Sequence, residues 1–195
     1  MIKSKIRKKI LEIRKKRNRK NIKFSFLKIF KEIKKNISKK KIIGGYYPVN
    51  FEIDILDFLE KLEIKGFQLC LPVVKKNNEM DFYGWSTKNL LKLNKYGIPE
   101  PEQIKKVFPD IILVPLVAFD SRLYRIGYGG GYYDRYIEKL SNKKNLLKIG
   151  IAHSCQKINR VPANKYDKKL DIIITEKYVL RWKFFLVEIL SMYLS

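Results

Sequence analysis

Four glycines crowd positions 127–131, between an unbroken apolar run and a segment of helical periodicity. This arrangement constrains the chain more than any other. Ile111 to Ala118 carries no charge, the pattern of a strand covered on both faces. Arg125-Ile126-Gly127-Tyr128-Gly129-Gly130-Gly131-Tyr132-Tyr133-Asp134-Arg135 then leads into a helix-like segment, Tyr132 to Leu140. The N–H groups of a loop so poor in side chains can turn toward one anion, and the helix that follows adds the positive end of its dipole. Asp134 would repel a bare phosphate. A magnesium–nucleotide complex removes that conflict, because Mg²⁺ is usually held by one or two carboxylates plus phosphate oxygens. The other reading is a tight turn whose glycines only relieve crowding, and spacing alone leaves both open.

A chain of 195 residues, 46% hydrophobic, can bury one core. No window approaches the roughly 18 uncharged apolar residues that span a bilayer, and the start is too densely charged for a secretory signal. Cys70 and Cys155 are far apart, lack CxxC spacing and sit in apolar contexts, which suits buried thiols in a reducing compartment. The expectation is a soluble cytoplasmic protein without a membrane partner. The net charge of +24 is concentrated, since residues 1–41 hold 19 Lys and Arg against two Glu. Such an arm can bind phosphate backbones non-specifically. It keeps a regular apolar stripe, however, and no nucleic-acid module is recognisable. Lys, Ile and Asn are also abundant throughout, as codon bias in an AT-rich genome produces. The charge reads as a solvated face, with no specific nucleic-acid partner.

Ile2, Ile6, Ile10 and Ile13 predict an amphipathic helix over 2–20, and Ile22, Phe26, Ile29, Phe30, Ile33 and Ile37 a second. Strands are expected at Ile42 to Tyr47 (stopped by Pro48), Phe67 to Leu71 (stopped by Pro72), Met80 to Trp85, Ile111 to Ala118, Leu146 to Ala152 and Asp171 to Thr175. Helices are expected at Glu52 to Leu62, Tyr132 to Leu140 and Tyr178 to Tyr193, and residues 86–109 read as loop-rich. Strands alternating with helices imply an α/β fold: a three-layer sandwich, mainly parallel in its central sheet, with helices on both faces and basic helices at the N-terminus. The whole of 1–195 reads as one domain. Ligands gather beyond the carboxyl ends of such strands, where Tyr46 to Asp54, Phe119 to Asp134 and His153 to Gln156 leave the sheet.

Asp134 and Asp171 are the first candidates for metal ligands, although Asp171 at a strand start also suits a turn. Glu52 beside Asp54 is explained equally by compensation of a helix dipole. His153, the single histidine, has no triad around it and reads as structural or substrate-lining. Cys155 reads as a small buried residue. Tyr132, Tyr133, Trp85 and Phe82 suit either an aromatic ligand or the core.

Taken together, these blocks resemble the 5-formyltetrahydrofolate cyclo-ligase (methenyltetrahydrofolate synthetase) family over nearly the whole chain. The matching residues are Lys3 and Arg7, Tyr47-Pro48, Glu52-Ile53-Asp54, Leu71-Pro72, and Gly97-Ile98-Pro99-Glu100-Pro101. They continue with Val114 to Asp120, the glycine loop through Arg135, Gly150 to Gln156, Val161-Pro162, Asp167, and Leu170 to Glu176. The resemblance implies an ATP- and Mg²⁺-dependent ligase that converts 5-formyltetrahydrofolate to 5,10-methenyltetrahydrofolate, releasing ADP and phosphate, with no protein nucleophile. It implies ATP contacts at Lys3, Ser4, Lys5, Ile6 and Arg7, and at Arg125, Ile126, Gly127, Tyr128, Gly129, Gly130, Gly131, Tyr132 and Tyr133. Folate contacts fall at Tyr47, Glu52 and Tyr128 to Tyr132, and Mg²⁺ at Asp134 and Asp171. A monomer is expected. Two positions depart from the pattern: many members have glycine where this chain has Leu123, and some have Arg and Lys where it has Tyr128 and Gly130.

Overall fold

The computed structural model describes residues 2–18, 24–35 and 41–181. Along the chain come α1 (Ile2–Asn18), α2 (Leu27–Lys35), β1 (Ile42–Gly44), α3 (Leu56–Ile64), β2 (Gln68–Val74) and β3 (Met80–Trp85). Three two-residue strands follow, β4 (Lys92–Leu93), β5 (Pro99–Glu100) and β6 (Lys106–Val107). Then come β7 (Ile111–Pro115), β8 (Ala118–Phe119), β9 (Arg125–Ile126), α4 (Tyr132–Ser141), β10 (Leu147–Ile151), β11 (Ile172–Ile174) and β12 (Val179–Arg181). Eight strands form the central sheet in the order β12-β11-β10-β7-β1-β2-β3-β6. The inner five are parallel, and antiparallel β3, β6 and β12 finish the edges.

The charge-free run at β7 follows from its place in the middle of the sheet. Ile111 and Leu113 face a layer made with Ile29 and Ile33 of α2 and Phe58, Leu59 and Leu62 of α3. Ile112 and Val114 point the other way, onto Tyr136, Ile137 and Leu140 of α4. Burying each such side chain contributes about 1.5–3 kcal/mol, so a charge on either face would be costly. Helix α1 lies apart from both layers. Its Ile10, with Ile6 and Ile13 half-buried beside it, packs on Val117, Ala118, Ile126 and Val161, just past the end of β7.

Several boundaries differ from the sequence reading. Pro72 does not stop β2, which continues to Val74. β1 pairs only with Gln68 to Cys70, so the proline's missing N–H lies past the parallel partner, where little is lost. Glu52 is not in a helix, because α3 begins at Leu56, whose N–H is capped by Asp54 at 2.9 Å. Ile2, placed in the apolar stripe, is exposed. The expected helix from Tyr178 begins as β12, antiparallel to β11, and its part beyond Arg181 lies outside the described residues, as do Ile22 and Ile37. Leu123, where the resemblance leads one to expect glycine, adopts a left-handed conformation of the kind glycine favours. Its φ is +68° and its side chain is buried, so apolar burial offsets the strain of a left-handed leucine.

The chain leaves β1 through α3 toward β2 on one side, and leaves β7 through α4 toward β10 on the other. β1 and β7 are neighbours, so the direction of winding reverses between them. In open α/β sheets such a reversal marks the ligand-binding crevice, beyond the carboxyl ends of the two strands.

Candidate active site

One wall of the crevice is the exit from β1. Tyr46 is buried there and donates its hydroxyl to the Ile53 carbonyl at 2.8 Å, and Tyr47 beside it is half-buried. The turn that follows holds Asn50 and Phe51 at φ +49° and +62°, a costly conformation for a phenylalanine. The turn delivers Glu52 inward. Its Oε2 accepts the Val49 N–H at 2.9 Å, while Oε1 is buried without a hydrogen-bond partner. Burial therefore dominates and pushes the carboxyl up to about 7, against the opposing pull of the Val49 N–H, the Arg14 charge and the Tyr128 hydroxyl. Such a carboxyl takes a proton in the folded protein that it does not hold unfolded. Its contribution to stability is present below the unfolded value of 4.5 and is lost as pH rises toward 7. Glu52→Gln should therefore flatten the melting-temperature profile between pH 5 and 8 and stabilise the protein at pH 8, by at most about 3 kcal/mol. Buried His153, held below its usual range by desolvation, titrates in the opposite sense, so the comparison with wild type isolates Glu52.

The opposite wall is the glycine loop. Among the described residues, the N–H groups of Tyr128, Gly129, Gly130 and Gly131 donate to nothing else in the chain. Gly129 and Gly131 sit at φ +112° and +67°, and Gly131 caps α4, so the loop turns into the helix dipole through conformations that glycine permits. Arg135 fastens its far end, donating to Gly130 O at 2.6 Å and to Asn78 O. Tyr132 is tied by its hydroxyl to Tyr96 at 2.9 Å.

Helix α1 forms the roof. Lys3, Arg7, Arg14 and Arg17 all turn inward, at a spacing that places them on one helical face with Ile10. Arg7 Nε donates to Gly127 O at 2.8 Å, and its guanidinium lies beside Gly129. Ser4 and Lys5, named with them by the resemblance, are exposed, and Ile6 packs on the apolar cluster. Helix α1 is thus two-sided: Lys3, Arg7, Arg14 and Arg17 are bonded to the body, and Lys5, Lys8, Lys9, Lys15 and Lys16 of its other faces are exposed. Nothing in local composition distinguishes Arg14 and Arg17 from the charged surface around them; their spacing with Lys3 and Arg7 is the one signal the sequence carries.

Asp134 and Asp171 are not brought together. Asp171 lies at the amino end of β11, bonded to the Lys148 N–H at 2.8 Å and its ammonium at 3.1 Å, at the opposite end of the sheet from the glycine loop. Asp134 accepts from Arg125 at 3.1 Å and from the Lys168 N–H at 2.9 Å. The charge beside the loop is therefore already balanced by Arg125, whose buried guanidinium faces Asp134 and the Lys168 carbonyl. Next to Lys168 is Asp167, which is ion-paired with Lys3 at 2.6 Å. Asp134, directly after the loop, and Asp167, on Lys3 of α1, are thereby joined through the 167–168 backbone. Among the described residues there is no group of three His, Cys, Asp or Glu able to cage an ion. One or two carboxylates is the donor set suited to Mg²⁺ that arrives on phosphates.

Beyond β10 and β11, Glu176 receives Arg17 and the Ser154 N–H, the latter at 2.8 Å, and Gln156 binds Leu116 O and Val117 O at 2.6 and 2.9 Å. His153 Nδ1 is buried without a hydrogen-bond partner. Cys70 and Cys155 are both free, and burial pushes both thiols up. Trp85 and Phe82 belong to the core layers. No described helix is long and apolar enough to cross a membrane.

An open, mainly parallel sheet with an anion-ready loop and a buried carboxyl at its switch point defines an α/β enzyme of the ligand-binding type. The profile of the 5-formyltetrahydrofolate cyclo-ligase family matches residues 1–176. The chain is 31% identical over 138 residues to the 5-formyltetrahydrofolate cyclo-ligase of Escherichia coli K12, covering 67% of this chain and 75% of that one. It is 36% identical to that of Mycoplasma pneumoniae, over 70% of this chain and 74% of that one. The solved structure of 5,10-methenyltetrahydrofolate synthetase from Aquifex aeolicus superposes with a TM-score of 0.71 at 33% identity, covering 94% of both chains. The chain belongs to the 5-formyltetrahydrofolate cyclo-ligase family and is an enzyme of that class.

Proposed function

We propose that the protein closes 5-formyltetrahydrofolate to 5,10-methenyltetrahydrofolate at the expense of Mg²⁺-ATP, releasing ADP and phosphate. The observation that carries this reading is the pairing of unbonded loop N–H groups with a buried, half-satisfied carboxyl across one crevice. The first suits nucleotide phosphates. The second suits the N–H donors of a pterin ring, which an ionised carboxylate accepts in pairs.

The N-formyl oxygen is a poor leaving group. It attacks the γ-phosphorus, ADP departs, and the resulting iminium phosphate is open to N10. Attack by N10 on the formyl carbon, loss of its proton and departure of phosphate close the ring. Such a sequence asks for positioning and charge neutralisation rather than a protein nucleophile. The loop N–H groups, Arg7 and Lys3 hold the phosphates. Arg125 acts from behind, fixing Asp134. Asp134 and Asp167 would hold Mg²⁺, which supplies charge neutralisation to the phosphate oxygens when bound. Glu52, Tyr47 and Tyr128 line the folate side. Incubation with 5-formyltetrahydrofolate, Mg²⁺ and ATP should produce methenyltetrahydrofolate absorbance and one ADP per product. Absence of product with well-folded protein sinks the reading.

A further inference from the structure

Arg14 is among the most deeply buried side chains in the protein, at 1% exposure, and its Nε has no hydrogen-bond partner. Its remaining donors reach two different elements. Nη1 donates to the Leu116 carbonyl at 3.2 Å, just past the end of β7, and Nη2 to the Tyr128 hydroxyl within the glycine loop. A buried guanidinium is a costly way to pack a helix, since an apolar side chain of similar volume would dock α1 without the desolvation. Its charge is felt across the crevice, by Tyr46 and Glu52 on the β1 wall, by Tyr128 on the loop and by His153 beyond β10.

We propose that Arg14 is a positioning residue for the folate half of the site: through the Tyr128 hydroxyl it holds the glycine loop against the wall that carries Glu52. This rests on the reading of Glu52 as a folate contact. Arg7, two turns earlier on α1, grips the same loop at Gly127, so one rigid helix fixes the loop at adjacent residues and presents it to both substrates. The two grips differ in what they serve. Arg7 lies beside Gly129, on the phosphate side, whereas Arg14 acts on the side facing Glu52. Glu52 is also faced by Tyr46 from β1 and Tyr133 from α4, with Asp54 acting on Tyr46 nearby, and neither tyrosine supplies positive charge. Among the described residues Arg14 is therefore the cation that favours the ionised, pterin-accepting form of Glu52, and the Tyr128 hydroxyl that it holds acts in the same direction.

The test is steady-state kinetics of Arg14→Met, Arg14→Lys and Tyr128→Phe between pH 5.5 and 9, beside Glu52→Gln. Arg14→Met should raise KM for 5-formyltetrahydrofolate about tenfold or more while KM for ATP stays within about threefold. The acid limb of kcat/KM for the folate should move to higher pH, because the charge that favours ionisation is gone. Arg14→Lys should return the limb toward wild type, and Tyr128→Phe should reproduce the KM rise. An unmoved limb in Arg14→Met, an equal loss toward ATP, or unchanged folate KM in Tyr128→Phe overturns the proposal. If Arg14→Met does not fold, Arg14→Gln decides in its place, since it keeps a buried donor without the charge: an unmoved acid limb or an unchanged folate KM in that variant overturns the proposal. A folate defect in Glu52→Gln without one in the Arg14 and Tyr128 variants removes only this inference. Normal folate kinetics in Glu52→Gln removes the folate assignment beneath it as well.

Discussion

Gly129→Val is expected to weaken binding of a non-hydrolysable ATP analogue about 30- to 100-fold while the melting temperature changes by only a few degrees. Two effects add. Gly129 sits at φ +112°, which a β-branched residue reaches only at a cost of about 1–3 kcal/mol, so the loop relaxes out of the conformation that aims its N–H groups. A Cβ there would also stand 3.3 Å from the Arg7 guanidinium, displacing the cation on the phosphate side. Together they amount to about 2–3 kcal/mol, which is the stated loss of affinity. Gly129 touches no core layer, so little of this is global stability. Calorimetric titration beside a melting curve separates the possibilities: a lowered melting temperature with intact affinity would mean that the glycines serve packing alone.

Asp134→Asn should cut turnover by about 100-fold or more and raise the Mg²⁺ concentration needed for half-maximal rate. Unlike the loop change, it should also destabilise the fold by about 1–3 kcal/mol. Arg125 is 6% exposed, and Asp134 is its carboxylate partner among the described residues, so the variant leaves a buried cation without its counter-charge. The double variant Arg125→Met/Asp134→Asn separates the two roles. It should recover part of the melting temperature without recovering magnesium-dependent turnover. If activity instead returns with stability, Asp134 serves only to anchor Arg125 and is no metal ligand.

The parts of the site legible in the sequence are those carried by a contiguous stretch. The glycine loop was visible because four glycines cannot be mistaken for helix or strand, and β7 because a strand buried on both faces tolerates no charge. Local pattern failed where a partner strand decided the outcome. Pro72 continues β2 because its neighbour β1 has already ended, and Val179–Arg181 pairs with β11 although the spacing there suits a helix.

From sequence alone came the α/β class, the winding that places ligands at the carboxyl ends of the strands, and the loop that awaits an anion. Those depend on periodicity and backbone freedom, which are properties of neighbouring residues. Tertiary structure alone decided how the charges are paired. It turned Arg14 and Arg17 inward beside Lys3 and Arg7, separated Asp171 from Asp134, and brought the Asp167–Lys168 segment to Asp134. It also buried Glu52 deeply enough to change its ionisation. Those outcomes rest on distance and desolvation between residues from about twenty to more than a hundred and sixty positions apart, and no local pattern encodes either quantity.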